Sequence, residues 1–550
     1  MSYFDLPRLY FHGRFFTNPS TINNKLANFS PDVRLLPMNE RRQSAKMTEE
    51  YAGFQYINPY GLHNFLLDNC VVSGAHGMAA SPVGGQAFGA IHSGVPYAKM
   101  VDLDPDQQSL SQIFGLALRV LLQDGSGFEG RLEPATLFDL WYGRVPSERG
   151  DQMAAGVFQS LMRLENIQWL GPQDGLVQGL RERCQSGVSV KFMLDAYQGK
   201  PELAGFNYGR IVGVIGPGRN GEAINFPSER RLNPAGSVCG PAYYKLHSDE
   251  LKLTLDLGNS MPLLHPAGES KDLGILRLVA LSDDGPVALH EHALDYSRAA
   301  LERNGGLVDL AISEAQHALL CRHPLAIQAM RLGASALLLQ EHASLKWIHC
   351  EPTSLRLAPG ESATVKFHAR HAGQAMPDEA IDLRLTAHEG NNRPRSGVEF
   401  PAQVLTDADG VGLLRVEARS PQPLPPRRAV IDSQLYYLGG GAWQEAGELT
   451  RQSGGGVLSI LVFNQVAEVA EPVWADHIEP ILSYYARIYP GVAAVLGIDS
   501  HDGVRANATL LHRWLSLPRE DPLHFPPSRD LAPAKAKMIC RWLETGMRDD

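Results

Sequence analysis

No two cysteines stand close enough to make a CxxC pair. Cys70, Cys184, Cys239, Cys321, Cys350 and Cys540 are scattered through 550 residues. That spacing speaks against a zinc knuckle or a dithiol redox couple and fits reduced thiols in a cytoplasmic protein. No apolar run approaches the ~20 residues that a membrane-spanning helix needs. The opening MSYFDLPRLYFHGRFF is broken by Asp5, Arg8 and Arg14, so no secretory signal is expected there. Lys and Arg form no cluster and the formal net charge is −10, which argues against nucleic acid and against an anionic membrane as partners. GxSxG, HExxH and P-loop motifs are missing as well.

What remains is globular material, 44% hydrophobic and 20% charged, too long for one core, so several domains are expected. Its 53 glycines and 37 prolines are spread along the chain and favour short strands and turns. The pattern predicts a mainly β, multi-domain chain with some helix. Residues 1–245 form a β-rich N-terminal domain, with segments such as CVVSG, SVKFMLDAYQ and RIVGVIG. Helices are expected in QSLSQIFGLAL and in AAGVFQSLMRLE, where Val157, Leu161 and Leu164 recur at helical spacing. Residues 246–345 form a second β unit with a tight turn at Asp283-Asp284-Gly285. Residues 346–465 place strands and turns at regular intervals, as in an immunoglobulin-like sandwich. Residues 466–550 turn helical, with Ile478, Ile481, Leu482 and Tyr485 on one face. The segment PPSRDLAPAKAKMICRWLE, Pro526 to Glu544, has a proline-anchored turn, an aspartate able to cap and an amphipathic helix with Met538, Ile539 and Leu543 on one side.

Candidate chemistry is sparse. GPGRNG, residues 216–221, matches GxGxxG after an apolar strand, but Pro227 and Pro234 forbid the long helix that would meet a pyrophosphate, so it reads as a hairpin turn. His290 and His292, two apart, would share one face of a strand as half of a metal site, or form a solvated strand edge. TDADGVG, with Asp407 and Asp409, lacks the distal glutamate of a calcium loop and reads as a sandwich turn. His63, His76 and His92 lie in a Gly-rich part of the first domain as metal or haem ligands, general bases or polar turn residues.

Several segments taken together resemble a known family. FDLPRLYFHG, GLHNF, VDLDPDQQSLSQIFG, RIVGVIG followed by RRLNP, GLVDLAI, SYYARIYP and PPSRDLAPAKAKMICRWLE stand in the same order as similar segments in the amino-terminal half of bacterial enzymes that couple two aromatic imines. These are the violacein-pathway iminophenylpyruvate dimer synthase and chromopyrrolate synthase. The resemblance implies oxidative processing or coupling of an amino-acid-derived imine or aromatic molecule in a natural-product pathway, and a haem cofactor. In that family the last segment leads into a ferritin-like domain. Here the expectation is that this domain is either lost or encoded on another chain as a separate ferritin-like partner, and the alternative function is a non-catalytic scaffold that docks such a partner. A homodimer stays open. The stretch AIHSGVPYAKM is shorter than its family counterpart, and His290 and His292 have no counterpart there. On the enzyme reading, His92 or His63 serves as ligand or base, with His76 as a further candidate axial nitrogen. Asp102 and Asp104 orient the site and Gln112 stands at a helix start. The competing reading of both aspartates is turn and helix capping.

Overall fold

The computed structural model describes residues 2–21, 58–77, 83–103, 110–145, 154–172, 175–227, 229–266, 268–290, 292–386, 397–419, 433–440 and 457–549. At its centre the strand Arg8–Thr17 runs antiparallel between Tyr208–Gly218 and Asn64–His76, with Leu9 opposite Ile215 and His12 opposite Val212. Successive side chains of a strand point to opposite faces. Leu9, Phe11 and Phe15 therefore enter one core with Phe65, Val190, Phe192 and Ile211. Tyr10 enters another, with Tyr3, Phe4, Val214, Tyr243, Leu307 and Trp347. The strand belongs to a sheet of 13 strands that ends at Gly218, and its second face meets a separate sheet of eight.

Both helices expected in this region are strands. QSLSQIFGLAL contains Ser111–Phe114 and the start of Ala117–Leu122, divided by Gly115 at φ 71°. Leu118, Val120 and Leu122 are buried and alternate with more exposed neighbours, a period of two rather than 3.6. AAGVFQSLMRLE is the strand Ala155–Arg163, paired along its length with Gly187–Asp195 and buried on both faces up to Met162. A strand covered on both sides reads as a continuous apolar run, and its hydrophobic residues can mimic helical spacing by chance.

The eight-stranded sheet takes its first strands from Arg230–Pro234 and Ala242–His247, which lie in, or straddle the end of, the stretch 1–245 that the sequence alone assigns to the N-terminal domain. The Gly- and Pro-rich spacer between them hides their pairing, Arg230 to Tyr244 and Leu232 to Ala242. GPGRNG is the end of Tyr208–Gly218 and a turn, with no helix before Arg230 among the described residues. It is not a hairpin, because the next strand joins the other sheet. Asp283 and Asp284 do form the two-residue connection between Ile275–Ser282 and Gly285–Ala288.

Ion pairs fasten the two sheets. Arg8, fully buried, spans Asp309 with Nη1 to Oδ2 at 2.9 Å and Nη2 to Oδ1 at 3.2 Å. Lys191 reaches Asp256 at 2.8 Å and Arg231 reaches Asp139 at 2.9 Å, each crossing the same joint.

The described residues between 346 and 463 make an immunoglobulin-like sandwich of two five-stranded sheets around Ile348, Phe367, Val416, Leu438 and Ile460. Asp407 Oδ1 accepts from the amides of Asp409 and Val411, so TDADGVG is a sandwich turn. Beyond it the chain is helical, at Glu479–Ile488, Pro490–Leu496, His501–Ala506, Ala508–Ser516 and Pro533–Glu544. Ile478, Ile481, Leu482 and Tyr485 pack inward with Ile539, Trp542 and Leu543. The aspartate expected to cap the last helix does not: Asp530 is buried, accepts from Tyr485 Oη at 3.0 Å, and the helix starts on Pro533 without a side-chain cap.

Candidate functional site

Three units meet around one cavity of about 440 Å³. The first wall comes from the N-terminal sheet, where Ser111–Phe114 pairs with Ala98–Asp102 on one side and Ala135–Thr136 on the other. This presents Leu103, Gln112, Phe114, Ala135 and Thr136. The second wall is the sandwich strand Ser354–Leu357 with Pro352 and Thr353. Thr136 Oγ1 and Thr353 Oγ1 stand 2.7 Å apart and tie the two walls. The third side is the turn before the last helix, with Arg519, Glu520 and Arg529. A cavity of this size suits a small organic ligand.

The three arginines set its electrostatics. Arg529 is buried, lies 3.8 Å from the centre of the Phe114 ring and donates to the carbonyls of Arg519 and Asp521 at 3.1 and 2.8 Å, and to that of Pro527. Its backbone has φ 51°, a left-handed conformation uncommon outside glycine, asparagine and aspartate. Arg519 donates to the carbonyl of Arg356 at 2.6 Å. Arg356 donates to the carbonyls of Leu103 and Ser528 at 2.9 and 3.3 Å. Neither Arg519 nor Arg529 has a carboxylate partner among the described residues. Burial, then the neighbouring Arg356, pulls Arg529 down to about 9. Burial also lowers Arg519. Behind this wall, burial and then Arg529 lower Lys99 to about 8, while burial, Lys99 and Arg529 together hold His63 at about 3. Positive charge is concentrated here, and Asp521, Glu520 and Glu361 offset part of it.

Of the residues singled out from sequence, Gln112 lines the cavity, on a strand rather than at a helix start. Asp102 lies on the neighbouring strand opposite Ser111, and Asp104 is outside the described residues. The three histidines do not share a site. His63 and His76 bracket opposite ends of Asn64–His76, roughly 40 Å apart at ~3.3 Å per residue. His63 is buried, accepts from the Ser20 amide through Nε2 and has Tyr489 edge-on at 5.2 Å. His76 turns Nδ1 to Asp309 at 3.3 Å in the joint between the sheets. His92 is exposed and stands opposite Arg119. No histidine lines the cavity, so these residues do not fit a haem held there. His290 and His292 are not on a strand. The His292 amide donates to His290 Nδ1 at 3.2 Å, which turns one ring nitrogen onto the backbone. Among the described residues no group of three metal-ligating side chains forms.

The arginines escaped sequence reading. Arg356 alternates with Leu355 and Leu357, and Arg529 sits among prolines; each looks like an ordinary surface charge until distant segments fold together. The signal that could have found Arg529 is a cation in a proline-rich turn.

The thiols differ sharply. Burial raises Cys70 to about 12 and Cys184 and Cys239 to about 11. Cys321 is exposed, with Sγ 3.8 Å from His317 Nδ1, and His317 Nε2 meets Ser248 Oγ at 3.0 Å. A reagent in solution reaches an exposed thiol and not a buried one. Limiting iodoacetamide is therefore expected to alkylate Cys321 first, at least tenfold faster than Cys70 by peptide mass spectrometry. Equal rates would contradict this.

No family model matches the chain, and no curated protein matches it. Solved structures give remote likenesses. A Salmonella alpha-2-macroglobulin mutant is 12% identical, covers 74% of this chain and 22% of its own, with a TM-score of 0.15. The S-layer protein SbsC is 9% identical over 70% of this chain and 51% of its own, at 0.15. The four N-terminal Ig domains of Dscam1 are 8% identical over 69% and 81%, at 0.12. Likenesses this remote carry no argument about the site.

Proposed function

We propose that the chain takes an amino-acid-derived imine or a similar aromatic small molecule into the junction cavity and serves its oxidative processing or coupling in a natural-product pathway. One observation carries the reading. Two segments that resemble the imine-coupling synthases lie far apart in sequence and converge here: VDLDPDQQSLSQIFG supplies Leu103, Gln112 and Phe114, and PPSRDLAPAKAKMICRWLE supplies Arg529. Two more, GLHNF and SYYARIYP, meet directly behind, where His63 packs edge-on against Tyr489. A cleft at a domain junction, apolar with a few convergent polar groups, is where a small ligand binds.

The test is retention and turnover. Phenylalanine and an amino-acid oxidase generate the imine in situ, and the full chain is added under air. Saturable retention in equilibrium dialysis is expected, and it is expected to disappear when Ala363→Trp fills the cavity from its partly buried rim. A coupled dimer in the mass spectrum supports catalysis by the chain itself. Retention without dimer supports a binding subunit of the same pathway. No retention of imine, oxo acid or amine overturns the reading.

A further inference from the structure

We propose that Arg519 and Arg529, backed by Arg356, form a carboxylate-holding corner of the junction cavity, so that its ligand is an organic monoanion rather than a neutral amine or a cation. The inference rests on the cavity being the small-molecule site and adds what its charge selects.

The donor count comes first. A guanidinium carries five N–H groups and cannot accept. Arg529 gives three to carbonyls of its own turn and Arg519 gives one to Arg356. Donors remain on both groups, and both side chains line the cavity. The bonds already made fix the guanidinium planes, and the Phe114 ring at 3.8 Å holds that of Arg529 from one face. A planar fork held in place before the ligand arrives is the geometry that recognises carboxylates. The charge balance comes second. The acidic groups lining the cavity are Glu133 and Glu520. Glu133 is committed to Arg163, with Nε to Oε1 at 2.7 Å, and Glu520 is exposed to solvent. Asp521, Glu520 and Glu361 offset part of the positive charge, but Arg356 and Arg529 still repel one another at this wall, and an entering carboxylate relieves that repulsion. Shape comes third. Leu103, Phe114, Leu355 and Leu357 supply apolar lining beside the charges, so the anion carries an organic body rather than being a bare inorganic ion.

Calorimetric titration of the full chain with phenylpyruvate, its methyl ester and phenylethylamine tests this. Phenylpyruvate is expected to bind about tenfold or more tightly than its ester, a ratio in keeping with one charge-assisted contact, and the ratio is expected to shrink as salt rises. Arg519→Gln, at the partly buried end of the trio, is expected to cost the acid about tenfold and to leave the ester unchanged. If that variant melts early, the acid-to-ester ratio of the wild type and its salt dependence decide alone. Acid and ester binding equally overturns the carboxylate corner while the cavity reading stands. Tight phenylethylamine overturns its sign. Competition by inorganic phosphate as effective as by phenylpyruvate overturns the organic-anion assignment. Failure of all three probes, in wild type and Ala363→Trp alike, removes the cavity reading itself.

Discussion

Arg8→Met is expected to destabilise the chain by about 3–5 kcal/mol, because it leaves a partner carboxylate in a largely closed joint without its counter-charge. Arg8 is fully buried between the sheets and provides Asp309 with a two-nitrogen clamp, and it also donates to Tyr10 Oη at 3.3 Å and Thr254 Oγ1 at 3.3 Å. Burial alone would raise the Asp309 carboxyl. His76, Arg8 and the Thr254 hydroxyl outweigh burial and hold it well below the usual carboxylate range. The sign follows from linkage. A depressed folded pKa contributes stability that is fully present above the unfolded value of about 4 and is lost as pH falls through the folded value. In Arg8→Met that contribution shrinks, so the gap between variant and wild type is widest near neutrality and narrows below about pH 4. Urea denaturation at a series of pH values measures it. A gap that stays constant with pH would show that Arg8 acts through packing and not through Asp309.

The same joint explains what sequence revealed and what it hid. Leu118, Val120 and Leu122 alternate with exposed neighbours, but QSLSQIFGLAL stops at Leu118, so the alternation that marks the strand lies mostly beyond the segment that reads as a helix. Ala155–Arg163 is covered on both sides, so its period vanishes and its leucines pass for a helix. Arg8 looked like a reason to doubt a signal peptide; only the fold brings Asp309, 301 residues away, to its guanidinium. The sandwich and the C-terminal helices were legible because each builds its core from neighbouring sequence, as with Ile481, Leu482 and Tyr485. The cavity was not, because Gln112, Arg356 and Arg529 come from three units. Histidines drew attention by their chemistry, yet His63 and His76 are absorbed into a domain contact and an ion-pair network. Arginines, common on surfaces, carried the signal.

Arg529→Met is expected to destabilise the turn before the last helix by about 2–4 kcal/mol, since a buried acceptor left unsatisfied costs about 1–3 kcal/mol and three main-chain carbonyls lose their donor. The same change lifts an electrostatic burden. Lys99 donates to Leu62 O at 2.8 Å and Asn64 Oδ1 at 2.7 Å, both neutral, while burial and Arg529 lower it to about 8 from 10.5. A folded lysine that releases its proton early binds fewer protons than the unfolded chain between those two values, so the wild type gains stability as pH rises through that window. Arg529, itself lowered to about 9 by burial and Arg356, adds to the gain in the same direction. Methionine removes the second contribution and part of the first, so the variant gains less between pH 8 and 10 than the wild type. Cysteines that burial raises, such as Cys70, oppose the trend equally in both proteins and drop out of the difference. Hydrogen exchange supplies the spatial check: faster exchange is expected in Glu479–Ile488 and Pro533–Glu544, with the sandwich strand Ser362–His371 unchanged. Parallel pH profiles for the two proteins would mean that Lys99 does not sense Arg529, and the concentrated positive charge behind the cavity would then lose its physical basis.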